Sequence, residues 1–300
     1  MRPAASSATR IEALTNLEHT EFRWLPALAL FLVLLSAPSG NAWAVEIPGE
    51  RAPHFSPVGA PQGRAGVLPD FAGIQQVRAR KLSFFKFLLP LVQLENQRLS
   101  ETRRRLNYIH DHVRFRRDIL SRDRLWLAMV AEEFGVGLPD PGDPAFWRLI
   151  RLRVDTVPEE LVLVQAAMES AWGTSRFAQE GNNLFGQWCF SPGCGIVPQE
   201  RPIGEVYEVA SFNTVHESVV SYMRNLNTGR AYRDLREIRE GMRLDGSRPD
   251  PAAIADGLTS YSERGPAYIE VIRSMLRKNA EVIDEAKSLL VDAGRRQERS

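Results

Sequence analysis

The sequence predicts a mostly helical α+β protein, and three observations carry that expectation. Apolar residues recur at helical spacing in several stretches from Phe71 towards the C-terminus. A single segment, Gly186 to Phe212, breaks that pattern and reads as a small β-rich insert. The composition is that of a folded chain: of 300 residues, 44% are hydrophobic and 25% are charged. With 38 Lys plus Arg against 37 Asp plus Glu, the charge balance argues against coating of nucleic acid. Two cysteines are too few for a disulfide scaffold and cannot complete a four-ligand zinc site alone.

Residues 1–44 read as a signal peptide. Trp24 to Ala37 carries no charge, which suits a signal-peptide h-region and falls short of the roughly 20 residues of a spanning helix. Ala42-Trp43-Ala44 supplies a small-x-small cleavage site, and the expected cut follows Ala44. The leader balances Arg2, Arg10 and Arg23 against Glu12, Glu18 and Glu21, so the mature chain stays near neutral. An uncleaved anchor in the inner membrane is the alternative. The expected location is the periplasm.

Residues 45–70, with five prolines and four glycines from Val45 on, read as a linker. Residues 71–140 read as a helical extension. Its first helix centres on Phe84 to Leu94 and is expected to kink or break at Pro90. Leu99 to Glu133 suggests two amphipathic helices. Arg103, Arg104, Arg105, Arg114, Arg116 and Arg117 read as a solvated face, with an anionic-polymer patch as the alternative.

Residues 141–290 read as the catalytic domain and 291–300 as a polar tail. Thr156-Val157-Pro158-Glu159 has the pattern of a Thr cap, a first-turn proline and a Glu three residues on, opening a helix to about Trp172. Further helices are expected from about His216 to Leu226 and from Pro266 to Leu290. Ten of the twelve residues from Leu161 to Trp172 are apolar or small, and Glu169 lies near the end of that run. A carboxylate there must be paired or kept protonated. A protonated acid is what glycosidic cleavage requires, whereas bonding to loop amides is the structural alternative. Aromatic and amide groups follow, in Ser175-Arg176-Phe177 and Asn182-Asn183-Leu184-Phe185-Gly186.

Here the sequence resembles the N-acetylglucosaminidases of glycoside hydrolase family 73, which cut peptidoglycan. It shares their Gln-Ala-Ala-x-Glu-Ser-x-Trp-Gly helix end, Gln165 to Gly173, and their Asn-x-Phe-Gly loop. The likeness spans roughly residues 155 to 276. Leu68-Pro69-Asp70-Phe71 and the helix from Phe84 to Arg98 resemble the Bax branch of that family. The resemblance implies a lysozyme-like catalytic domain with a β-hairpin insert. It also implies cleavage of the β-1,4 bond between N-acetylglucosamine and N-acetylmuramic acid, with peptidoglycan strands as partner and no cofactor or metal.

By the same resemblance Glu169 is the general acid. Glu200 is nearest the family's second acidic position, on a hairpin from Gly195 to Phe212 turning near Ile203-Gly204, with Glu205 and Glu208 as competitors. Tyr261 matches the family's C-terminal tyrosine. Trp172, Asn183, Phe185, Trp188 and Tyr268 are the candidate sugar-binding groups. Two other readings stay open: a lytic transglycosylase, and a non-catalytic glycan-binding envelope protein.

Cys189 and Cys194 flank Phe190-Ser191-Pro192-Gly193, and in an exported protein they are expected to form a local disulfide. His110 and His112 point to different faces of a helical stretch, which argues against a shared metal, and His216 reads as a surface residue. No phosphate loop, Gly-x-Ser-x-Gly elbow or His-Glu-x-x-His motif occurs.

Overall fold

The computed structural model describes residues 68–115, 118–262 and 265–297. The signal segment, nearly all of the linker, and Arg116 and Arg117 lie outside the described residues. No helix among those described is long and apolar enough to cross a membrane.

The first helix, α1 (Val77–Arg114), runs unbroken through Pro90. The expected break does not occur, and the first helix continues into the earlier of the two foreseen between Leu99 and Glu133. Pro90 is exposed, so the backbone hydrogen bond that proline deletes is lost on the face that water can satisfy. The opposite face of α1 buries Phe84, Phe85, Leu88, Leu89, Val92, Leu99, Leu106 and Ile109.

Two shorter helices follow, α2 (Ser121–Glu133) and α3 (Pro144–Arg153); Asp143 caps α3 through the Ala145 amide. Helix α4 (Glu159–Glu169) is apolar all round, as a helix at the centre of a core should be, and packs against α1. Its expected Thr cap does not form. Pro158 occupies the cap position, and the Thr156 hydroxyl instead accepts from Arg243 at 2.9 Å.

After α5 (Arg176–Gly181) comes the β insert: β1 (Trp188–Cys189), β2 (Gly195–Ile196) and β3 (Glu208–Ala210), antiparallel in the order β1-β3-β2. Gly195 is obligatory there, because a Cβ would lie 2.0 Å from the Val209 carbonyl oxygen. The turn falls where expected: the Glu205 amide bonds the Pro202 carbonyl, with Gly204 at φ +95°. The chain then forms α6 (Val215–Thr228), α7 (Arg233–Leu244), α8 (Pro251–Ile254) and α9 (Pro266–Gln297). Helices α1, α4 and α9 pack mutually, and the apolar core extends from Leu68 to Ala286. The fold is mostly helical α+β and lysozyme-like, as the sequence predicts.

A polar knot sits just before α4. Asp155 is 1% exposed and takes both oxygens to Arg243, at 2.5 and 2.6 Å. The buried Arg239 lies 3.6 Å from it and also donates to the Leu152 and Thr156 carbonyls and to Asn227. Burial pulls the Arg239 guanidinium down to about 10, against the opposing pull of Asp155. Arg103 joins from α1 by donating to the Val154 carbonyl and pairing with Glu240. It is therefore part of this knot and not of a solvated arginine face. Arg104 and Arg105 pair with Glu101 and Asp123. His216 is half-buried, not a surface residue, and burial lowers its pKa.

Candidate active site

Helix α4 stops at Glu169, three residues earlier than its apolar run suggests. The Ser170 hydroxyl donates to the Ala166 carbonyl and accepts from the Gly173 amide, at 2.6 and 2.7 Å. The backbone then turns left-handed over three successive residues: Ala171 at φ 50°, Trp172 at 61° and Gly173 at 76°. For an L-residue that conformation costs about 1–2 kcal/mol. Trp172 offsets it by packing edge-on against Phe84 and Phe85, with centroids 5.8 and 5.4 Å away, contacts of about 0.5–1.5 kcal/mol each beyond their buried area. Gly173 faces Phe71, whose ring would lie 2.7 Å from any added Cβ.

Glu169 is half-buried and accepts from the Tyr268 hydroxyl at 2.9 Å. Four of the six tyrosines gather around it. Tyr261 stacks on Tyr268 at 5.3 Å, and Tyr222 and Tyr232 contact Tyr261 at 6.4 and 6.1 Å. Burial pushes the phenols of Tyr222, Tyr261 and Tyr268 well above their usual range, and Tyr232 up to about 12; the charge of Glu169 adds to the rise in all four. These four phenols therefore stay neutral at any ordinary pH.

The structure brings Glu169, Tyr261 and Tyr268 together. Tyr268 makes the hydrogen bond to Glu169, while Tyr261 sends its hydroxyl to the Phe185 carbonyl at 3.1 Å. Three expected sugar-binding groups are occupied internally. Asn183 is 1% exposed and fully hydrogen-bonded: its amide nitrogen donates to the Gln187 and Ala210 carbonyls, and its oxygen accepts from the Phe185 and Gln187 amides. Phe185 is buried and stacks on Tyr222 at 3.9 Å, which leaves no free face for a sugar there. Trp172 is packed as described. The Asn-x-Phe-Gly loop is thus a structural clasp joining the helix end to β3. Trp188 is half-buried, edge-on to Tyr207 at 4.7 Å.

On the insert, Cys189 and Cys194 form the expected disulfide. Glu200 and Glu205 are exposed in the loop between β2 and β3. Glu208 is buried and bonded by the Gly193 and Gly195 amides at 3.0 and 2.8 Å, which hold its carboxyl below the usual range. That carboxylate pins the disulfide loop through these two amides. Two cavities lie elsewhere, of about 300 Å³ beside Arg105 and Leu120 and about 570 Å³ beside Thr156 and Pro251, and neither is lined by Glu169.

Sequence reasoning missed the parts Tyr222, Tyr232 and Gln165 play here. Gln165 carried a signal: it is a polar residue inside the apolar run that begins at Leu161, one turn before Glu169 and so on the same face.

Residues 151–281 match the family model "Glucosaminidase: Mannosyl-glycoprotein endo-beta-N-acetylglucosaminidase". The chain is also 29% identical over 220 residues to "Protein bax" of Escherichia coli (strain K12), covering 73% of this chain and 77% of that protein. A match of that length exceeds the span 151–281 and takes in part of the chain outside it. No solved structure matches.

Proposed function

We take as premise that residues 151–281 are a glucosaminidase-family domain, making this a glycosidase of the endo-β-N-acetylglucosaminidase type, and propose how it acts. Its substrate is a peptidoglycan-type glycan, and the bond cut is the β-1,4 link on the reducing side of N-acetylglucosamine, next to N-acetylmuramic acid. Glu169 is the general acid that protonates the leaving oxygen. The observation that carries this reading is Glu169 at the end of a buried apolar helix, hydrogen-bonded by Tyr268 and ringed by phenols that stay neutral. A carboxyl in such surroundings can give up a proton and take it back.

Glu200, exposed on the hairpin loop, is the proposed base that activates water. That makes the reaction inverting, with the two carboxyls about 6.5–9.5 Å apart in the working complex. Trp188 is the proposed sugar-stacking ring. Residues 1–44 direct export, with cleavage after Ala44, so that the enzyme meets its substrate in the periplasm.

Mass spectrometry of digested peptidoglycan tests bond and reaction together. Products ending in reducing N-acetylglucosamine are expected; anhydro-muropeptides would make the enzyme a lytic transglycosylase. Glu169→Gln should lower turnover by about 10²–10⁴-fold while melting like wild type. Clearing of a cell-wall gel by that variant at wild-type rate would remove Glu169 from the mechanism. Proton NMR of the first-formed anomer tests Glu200: retention of configuration would reject it as base.

A further inference from the structure

Among the described residues, three arginines bury an Nε that meets no hydrogen-bond acceptor: Arg151, Arg153 and Arg236. Two of them share a further arrangement. The Arg153 Nη1 donates to the Phe134 and Gly135 carbonyls at 2.8 and 2.6 Å. The Arg236 Nη1 donates to the Leu226 and Gly229 carbonyls at 2.9 and 2.8 Å. In each case two carbonyls fix the guanidinium through one nitrogen. What remains is the edge of Nε and Nη2, which can grip two oxygens of one acidic group.

These two arginines lie close together. Arg153 ends α3, and Arg236 is on α7, which packs against α3. One turn further along the same face of α7, Arg239 reaches the carbonyl of Leu152, the neighbour of Arg153, at 3.0 Å. Burial pulls the Arg236 guanidinium down to about 10, and the positive charge of Arg153 pulls the same way. Neither arginine pairs with a described carboxylate: Glu237, which opposes that pull, is engaged by Arg233 at 2.8 Å. Arg151 stands apart, with its Nη1 turned to His110.

A buried, fixed N–H without an acceptor costs free energy until something supplies one. Water would serve the donors but give neither guanidinium a counter-charge; an oxyanion supplies both. A carboxylate has two oxygens and one charge, enough for one edge. A phosphate group has oxygens for both edges and carries about −1.5 to −2 charge at pH 7. Arg236 is only 4% exposed, so the entrant must be small. We propose that Arg153 and Arg236 form a binding site for a phosphate group, free or carried at the end of a small molecule. The site stands clear of the proposed acid: Arg153 precedes α4, Glu169 ends it, and the 11 residues of that helix span about 16 Å. Binding there is a property separate from catalysis.

The test is the arginine Nε–Hε correlation spectrum of the full chain, labelled with heavy nitrogen. It is titrated with inorganic phosphate and, separately, with N-acetylglucosamine 6-phosphate. Arg153→Lys and Arg236→Lys each delete one cross-peak and so assign the pair. Both peaks should move together and saturably. Movement with either probe supports the site; movement with the free ion alone confines it to inorganic phosphate. Lysine keeps the charge but has no flat edge, so Arg153→Lys should weaken binding about 10-fold, read from the remaining Arg236 peak. Peaks that stay still with both probes, or that move equally with acetate, would overturn the proposal and leave two hydrated structural arginines. If a lysine variant does not fold, the wild-type titration decides, through whether two shifting peaks share one dissociation constant.

Discussion

Two acids bracket helix α4 and are handled in opposite ways. Asp155, just before the helix, is matched by guanidiniums from Arg103, Arg239 and Arg243. Glu169, the last residue of the helix, accepts from a phenol and lies among four of them. The first acid is tied to α1 and α7 by charges that do not titrate in the working range, so it serves as a joint. The second lies among buried phenols that stay neutral, surroundings that suit the proton exchange proposed for it. The difference teaches that burial alone does not set what a carboxyl can do; the kind of partner beside it matters as much.

Exchanging the tests between the two acids breaks the comparison most directly. The largest effect on turnover is that of Glu169→Gln, with little change in stability. Asp155→Ala should do the reverse. Leaving Arg239 buried without its counter-charge costs about 3–5 kcal/mol, read as a lower urea midpoint, while turnover per folded molecule is kept. Loss of specific activity in the folded fraction would show that the joint also shapes the active site.

A smaller effect sharpens the contrast on the Glu169 side. The four tyrosines titrate higher in the folded state than in the unfolded chain. Their contribution to stability is therefore intact below about pH 10 and is lost as pH rises through the folded values, about 12 for Tyr232. Denaturant midpoints followed from pH 9 to 12 should fall, and the fall should be shallower in Glu169→Gln, which removes the charge that adds to the rise. Equal slopes in the two proteins would mean that burial alone sets those phenols. The smallest effect belongs to the insert. Replacing Cys189 and Cys194 by serine should destabilise by about 2 kcal/mol, because the closed loop is short and Glu208 still holds the Gly193 and Gly195 amides.

Features that depend on near neighbours in the chain were legible in the sequence. The apolar run of α4, the acid near its end, the cysteine pair and the turn at Gly204 each follow from a few adjacent residues. The surroundings of Glu169 were not, because Tyr222, Tyr261 and Tyr268 arrive from α6, from the segment before α9 and from α9 itself. Asn183 and Phe185 misled for a related reason. An amide and an aromatic ring beside an acid suit sugar binding and loop bracing equally well, and only the count of satisfied hydrogen bonds separates the two. Pro90 does not end the helix, because a proline on the water-facing side of a long helix deletes a hydrogen bond that solvent replaces. The knot around Asp155 was invisible for want of any local pattern: its arginines come from positions 103, 239 and 243.

The seat of Trp172 between Phe84 and Phe85 has a practical consequence for anyone preparing a minimal enzyme. Cutting the gene at the edges of the matched span, 151–281, would strip away α1 and leave the left-handed turn after Glu169 without the surface that holds it. Such a fragment would present a bare apolar wall to water and aggregate. The smallest piece worth expressing begins before Phe71 and carries the whole of α1, so the span matched by the family model is shorter than the unit that folds.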